Sequence, residues 1–273
     1  MITLTQTYPT DLTTTEWEQL VDWFPTASLR GRPRKWATWL ILNAILSMTR
    51  TGGQWRMLPR DFPPGQTVYG SFWRWPRSGL WARRKAVLVQ TARHQAGRNP
   101  HPSAALIDSQ SGKTSEGGAA RGVEVDKPPT GRKRPMGVDV WGLLLTVVGP
   151  SAGIPEGTGG KRVWPRLFAR LKRHGPTRWC RLKLLRAEGA YEAIGAYVRQ
   201  QLGWTVEVVR RPPAGKGFTV LPRRWVVDRS FGWFGRYRRL GRDYEPTTSS
   251  SAARVYLASI RRTLRLVTTE NPN

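Results

Sequence analysis

At Pro100 the hydrophobic period of this 273-residue chain changes, and that change limits the folds open to it. Upstream, apolar residues recur at helical spacing. Downstream come short apolar runs bounded by glycine and proline, the pattern of strands. In the first hundred residues, Thr15-Glu16-Trp17-Glu18 reads as a capping box, followed by Trp17, Leu20, Val21 and Phe24 on one face. A basic loop, Arg30 to Lys35, leads into an apolar helix over Trp36–Thr51 that Gly52-Gly53 should stop. Further helices are predicted at Thr67–Trp75 and Leu80–Ala96. Such a set suits a helix-turn-helix-like DNA-binding module. The alternative is a helical cap packed on the domain that follows.

Past Pro100, Ala104–Asp108 reads as a buried-type strand ending in a carboxylate, and Met136–Trp141 with Leu143–Val148 as a hairpin joined at Gly142. Trp164, Leu167, Phe168 and Leu171 mark an amphipathic helix. Arg181–Leu185 reads as a strand running into Ala187-Glu188-Gly189, then come a helix near Tyr191–Leu202 and a strand at Trp204–Val209. The predicted class is therefore α/β with a mixed sheet, behind a small all-α region, with the boundary at residues 98/99. Arg223–Leu240 reads as one helix crowded with arginines and aromatic rings, and Leu257, Ile260, Leu264 and Val267 as a final amphipathic helix.

Charge narrows the partner. Forty-five Lys and Arg face 18 Asp and Glu, a formal net charge of +27, and only 9 of the cations are lysine. Arginine binds phosphate bidentately and stacks on aromatic planes, so a polyanion, nucleic acid first, is the expected partner. The excess is uneven: residues 1–100 carry a net of +9, 101–150 only +1, and 151–273 carry +17. With 14 Trp and 39% apolar residues the chain can build a core and is not a disordered basic tail. The single cysteine, Cys180, excludes an internal disulfide and a Cys-type zinc finger. No apolar run approaches the ~20 residues of a membrane span, and the N-terminus lacks a secretory pattern, so a soluble intracellular protein is expected.

Three acids stand out by context: Asp108 and Glu188 at predicted strand ends, and Asp228 alone among arginines between Glu207 and Asp243. Strand-end carboxylates can converge, and hard oxygen ligands suit Mg²⁺ or Mn²⁺. Two such ions can activate a water or a 3′-hydroxyl for attack on a phosphodiester. The competing reading is that each acid serves a salt bridge. Asp139, mid-strand nearby, is read as structural, with a fourth ligand as the alternative. Arg132, Lys133, Arg134, Arg223 and Arg224 flank these acids and could clamp phosphate. Arg30, Arg32, Arg34 and Lys35 upstream, and Arg236, Arg238 and Arg239 downstream, could track a DNA backbone. His94, His101 and His174 lack ligand spacing. Composition alone would also admit an RNA-binding protein, which leaves the acids unexplained.

Several blocks resemble bacterial insertion-sequence transposases: Asp11-Leu-Thr-Thr-Thr-Glu-Trp17, Gly31-Arg-Pro-Arg-Lys35, Arg50-Thr-Gly-Gly-Gln-Trp-Arg-Met-Leu-Pro59 and Asp61-Phe-Pro-Pro-Gly-Gln-Thr-Val-Tyr69. Ile107-Asp-Ser-Gln-Ser111, Gly131-Arg-Lys-Arg134, Lys216-Gly-Phe218 and Leu221–Trp233 with Gly235–Leu240 are similar to the catalytic half of that family. The resemblance covers about residues 8–267. It implies a DDE transposase: a helical DNA-binding domain over 1–98 and a ribonuclease H-like catalytic domain over 99–273. It further implies binding of terminal inverted repeats and metal-dependent DNA strand cleavage and transfer, by a cytoplasmic, nucleoid-associated protein that is at least a dimer on DNA. Asp108, Glu188 and Asp228 would hold two Mg²⁺ or Mn²⁺ ions. Asp108 matches the family's first aspartate. The second stands in an Ala-Asp-Gly-Gly-Tyr-like segment that here reads Ala187-Glu-Gly-Ala-Tyr191, and the family's final glutamate is replaced by Asp228. Both changes keep the charge and alter the arm by one methylene. Gly149–Gly160 also lacks the family's His-Pro-Ala-Asp-like pattern. A copy that had lost cleavage would remain a sequence-preferring DNA-binding protein.

Overall fold

The computed structural model describes residues 5–24, 34–77, 79–114, 131–148, 160–172, 179, 181–188, 195–209 and 225–269; within these, the side chains of 76, 77, 111, 114, 131–133, 160–164 and 188 are not described. The Gly149–Gly160 departure, Lys216-Gly-Phe218, Tyr191, His174 and Cys180 fall wholly or almost wholly outside the described residues.

The first helix, α1 (Thr14–Glu18), starts earlier than its predicted box. Thr13, not Thr15, is the cap: its hydroxyl accepts from Glu16 N and the Glu16 carboxylate accepts from Thr13 N. Three successive threonines offer equivalent caps. Glu16 selects among them because it is buried and paired with Arg261 of the last helix. The chain then tightens into a 3₁₀ turn, Val21–Trp23, which breaks the helical register and leaves Val21 exposed while Trp23 is buried. Helix α2 (Thr38–Thr51) ends at Gly52, whose φ of +79° is a left-handed cap. Helices α3 (Gly65–Arg77) and α4 (Leu80–Gln95) follow.

The sheet is built from β1 (Ala104–Thr114), β2 (Gly131–Asp139), β3 (Leu144–Val147), β4 (Leu184–Glu188) and β5 (Thr205–Val209) in the order β3-β2-β1-β4-β5. Strand β2 is antiparallel to β1 and β3, whereas β1, β4 and β5 run parallel. Helices α5 (Gly160–Lys172) and α6 (Gly195–Leu202) supply the crossovers of that parallel half. The predicted helix over 223–240 is two: α7 (Trp225–Gly235) and the short α8 (Arg238–Gly241), with Tyr237 extended between them. A two-residue strand, β6 (Arg242–Asp243), pairs with the far end of β1, and α9 (Thr248–Thr268) closes the chain.

Alternation along the strands sorts the core into two layers. Leu106, Met136, Val138, Leu144 and Val147 face α7 and α9, and the same apolar cluster continues without a break into α1–α4. Ala105, Ile107, Leu143, Leu145 and Leu185 face the other way, onto Leu167, Phe168 and Leu171 of α5. The helical region thus packs on the α/β half through α9 and through Ala86, Val89 and Ala92 of α4.

Lys85 of α4 is fully buried, and its ammonium nitrogen donates to the carbonyls of Leu144 and Leu145 on β3. Burial lowers its pKa to about 7 against a partial offset from Asp139. Two acceptors match the two N–H groups of a neutral amine. Because the folded state sheds a proton that the unfolded chain keeps up to its ordinary pKa near 10.5, stability should rise with pH between about 7 and 10. The limiting slope is about 1.4 kcal/mol per pH unit. Urea unfolding at successive pH values should show this rise in the native chain and a flat profile in Lys85→Met.

Candidate active site

Strand β1 runs six residues past Asp108, because Ser109–Lys113 pair with β2 from Pro135 back to Gly131. Asp108 is therefore not at a strand end as predicted. It lies where β1 parts from its parallel neighbour: pairing with β4 reaches Leu106↔Arg186 and stops. Glu188 is the last residue of β4, two positions beyond that final pair, as Asp108 is on β1. Its side chain lies outside the described set. Ligand crevices in open parallel sheets form at such carboxyl ends.

Asp108 is half-buried, and its carboxylate accepts from the Ser109 amide at 2.7 Å. It lines a small pocket with Leu106, Ile107, Arg186, Ala187, Val209 and Val227. Val227 brings in α7, which packs against β1, and Asp228 is the next residue, exposed. Of the three predicted acids Asp108 lines this pocket, while Glu188 and Asp228 each follow a lining residue in the chain, Ala187 and Val227, without lining it themselves. Among the described residues no three His, Cys, Asp or Glu side chains cluster as a metal site.

Arg186 is the residue sequence reasoning missed. It lines the same pocket, 12% exposed, and its guanidinium donates to Glu207 at 2.9 Å. The available signal was its i−2 spacing from Glu188 on a strand.

Helix α7 is held by stacked cations. The Arg229 guanidinium lies 4.4 Å from the Trp225 ring centroid and 4.6 Å from that of Trp233, and donates to the Trp141 carbonyl at 3.0 Å. Arg262 of α9 stacks on Trp233 at 3.3 Å. Burial, reinforced by Arg229, lowers the Arg262 pKa to about 10. The single hydroxyl proton of Ser230 is shared between the carbonyls of Val226 at 2.9 Å and Gly142 at 3.1 Å. Gly142 itself has φ +81°, and a Cβ there would fall 2.6 Å from Ser230 Oγ. Gly142→Ala should therefore cost about 1–3 kcal/mol, read as a lower denaturant midpoint at unchanged slope.

Asp139 is structural. It is fully buried, ion-paired with Arg93, and accepts from the amides of Trp141 and Leu143 at 2.9 Å to shape the β2–β3 turn.

The predicted DNA contacts divide. Arg34, Lys35, Arg236 and Arg238 are exposed. Arg30, Arg32, Arg223 and Arg224 lie outside the described residues, and Arg132 and Lys133 are placed only by the register of β2. Arg134 and Arg239 are buried, and this removes them from reach of a backbone phosphate. Arg134 donates to the Leu240 carbonyl and lies 3.7 Å from Asp243; Arg239 pairs with Glu245 and donates to the Gly53 carbonyl. Strand alternation puts Arg134 on the same face of β2 as the buried Met136 and Val138, whereas Arg239 is buried beside Leu240 on the short helix α8.

Residues 12–104 match the family model described as a putative transposase of the IS4/5 family, and residues 197–265 match the model of a transposase DDE domain. Both models describe insertion-sequence transposases, and they match separate parts of the chain, one in the helical region and one in the α/β half. The chain is also 31% identical over 77 residues to "Uncharacterized protein y4sN" of Sinorhizobium fredii (strain NBRC 101917 / NGR234). That match covers 28% of this chain and 62% of the relative, less than two thirds of its length. No solved structure matches the chain. Among the described residues no helix is long and apolar enough to cross a membrane.

Proposed function

We propose that this transposase binds the terminal inverted repeats of its insertion sequence and cuts and joins DNA strands at the crevice between β1 and β4. The observation that carries the reading is that Asp108 lines a pocket where β1 parts from β4, together with Ala187 and Val227, the residues immediately before Glu188 and Asp228. The mixed sheet with one antiparallel side and helices on both faces supports a ribonuclease H-like catalytic half.

Asp108, Glu188 and Asp228 are the residues that would hold two Mg²⁺ or Mn²⁺ ions, and an all-carboxylate donor set fits such hard cations. When bound, ions of this kind make a water or 3′-hydroxyl nucleophilic and neutralise charge on the leaving oxygen. The chain's own side chains supply position and counter-charge. Arg186 balances the carboxylates, and the exposed Arg236 and Arg238 grip the phosphate backbone. Arg34 and Lys35 extend that grip along the duplex. Handling both element ends together calls for at least two copies of the chain.

The test is Mn²⁺- and Mg²⁺-dependent nicking of DNA carrying the inverted repeats that flank the reading frame. Nicking at the repeat end supports the reading. Tight binding to the repeats with no nicking under either ion would overturn cleavage and leave a DNA-binding protein.

A further inference from the structure

Two blocks of sequence that strand cleavage leaves unused, around Trp55–Pro59 and Asp61–Tyr69, build with Trp36 an open cleft of about 750 Å³ around the start of α3. The size is ordinary for a ligand site, within roughly 300–1,000 Å³. Its walls carry the rings of Trp36, Trp55 and Tyr69 over a floor that includes buried Phe62, and its rim carries Arg56 and Arg60.

The rings are fixed from behind yet left partly uncovered in front. Trp55 packs against Phe72 at 5.5 Å, meets Tyr69 edge-on at 5.5 Å, and has the buried Arg254 guanidinium 4.8 Å from its centroid. Tyr69 remains 37% exposed, and Arg56 and Arg60 are exposed. Gly65 closes the wall: a Cβ there would lie 2.3 Å from the Trp55 carbonyl oxygen, so the shape of the cleft depends on glycine. Among the described residues no acid lines the cleft, and the neighbouring Asp61 is engaged by the Tyr8 hydroxyl at 2.6 Å.

Rigid aromatic faces beside exposed guanidiniums select a ligand that is flat and apolar at one end and anionic at the other. In a chain of net charge +27, that ligand is a nucleotide. A base paired inside a duplex cannot enter such a cleft. We propose that the cleft receives an unpaired nucleotide of a DNA strand, its base stacked on Trp36, Trp55 or Tyr69 and its phosphate held by Arg56 and Arg60. This inference rests on the DNA-binding reading above.

The test compares, by fluorescence anisotropy on the full chain, the affinities for dT12 and for an unrelated 12-base-pair duplex. Because a stacked base contributes about 1–3 kcal/mol by alanine substitution, Tyr69→Ala combined with Trp36→Ala should weaken dT12 binding about 5- to 160-fold. Duplex affinity should change less than about twofold, and Tyr69→Phe should behave as the native chain. Arg56→Ala with Arg60→Ala, which touches no packed side chain, keeps the test open if the ring variants fail to fold. It should flatten the log–log salt dependence of dT12 binding by about 0.7 per lost contact. Unchanged dT12 affinity in the folded ring variants, or in the arginine pair, overturns the proposal. Duplex binding without dT12 binding by the native chain overturns it too, and leaves the DNA reading intact; binding of neither removes both.

Discussion

Asp108→Ala should lower metal-dependent nicking of the inverted-repeat DNA by at least about 100-fold while leaving duplex affinity within about twofold. The two effects separate because they have different sources. Affinity for duplex DNA comes mainly from many cation–phosphate contacts, and the exposed arginines are untouched by the substitution. Cleavage depends on a small number of oxygen ligands, and a misplacement of about 1 Å in such a site costs about 100-fold. The half-buried Asp108 is the acid whose environment is set by the sheet itself, between the parting strands β1 and β4. The companion change is Glu188→Asp with Asp228→Glu, which returns both acids to the arm lengths typical of the family. If the native chain nicks weakly, this pair should raise the rate. If the native chain nicks well and the pair lowers it, the site is tuned to the longer arm on β4 and the shorter arm on α7.

The largest loss of stability should follow Glu245→Ala. One carboxylate oxygen of Glu245 accepts from Arg239 at 3.1 Å and from Arg254 at 2.9 Å, and all three side chains are buried or nearly so. Arg254 also donates to Thr49 at 2.7 Å and stacks on Phe72 at 4.0 Å, so the network ties α9 to α2 and α3. Removing the shared acid strands two guanidiniums in the interior, at about 3–5 kcal/mol. In a chain of this size that corresponds to a fall of roughly 10 °C in the midpoint of thermal unfolding. Burial by itself would raise the Glu245 carboxyl pKa, but the two guanidiniums outweigh it and hold it below the usual range. Its contribution is thus present above the ordinary carboxyl pKa and is lost as pH falls through the lower folded value. Calorimetry on acidification should show the native chain losing an advantage that Glu245→Gln never has.

Some of the architecture was legible in the residues because it is decided locally. The α2 helix and its glycine stop, the β2–β3 hairpin turning at Gly142, and the strand–helix–strand order after β3 all follow from hydrophobic period and left-handed glycine. Elements that depend on distant partners were misread. The polar run Ser109–Thr114 has no apolar alternation, yet it is strand because the basic start of β2 and the short β6 pair with it. The helix over 223–240 breaks beyond Gly235, where α8 turns back toward α2 and Arg50 stacks on Tyr237 at 5.1 Å.

The acids divide in the same way. Asp228 announced itself by isolation among arginines, and Asp108 by its place after an apolar run, since both are one-dimensional signals. Arg186 did not, because its relation to Asp108 exists only across the β1–β4 pairing. Nor could composition tell a solvent-facing arginine from Arg134, Arg239 or Arg254, which the packing turns inward to carbonyls and carboxylates.

The sequence by itself determined the large excess of positive charge, most of the order of helices and strands, and the resemblance to transposases, because charge, period and contiguous motifs are read along the chain. Only the tertiary structure decided which cations face solvent, where β1 parts from β4, and that one core joins the helical region to the sheet. Those outcomes depend on contacts between residues far apart in the chain, and burial is set by neighbours that no local pattern specifies.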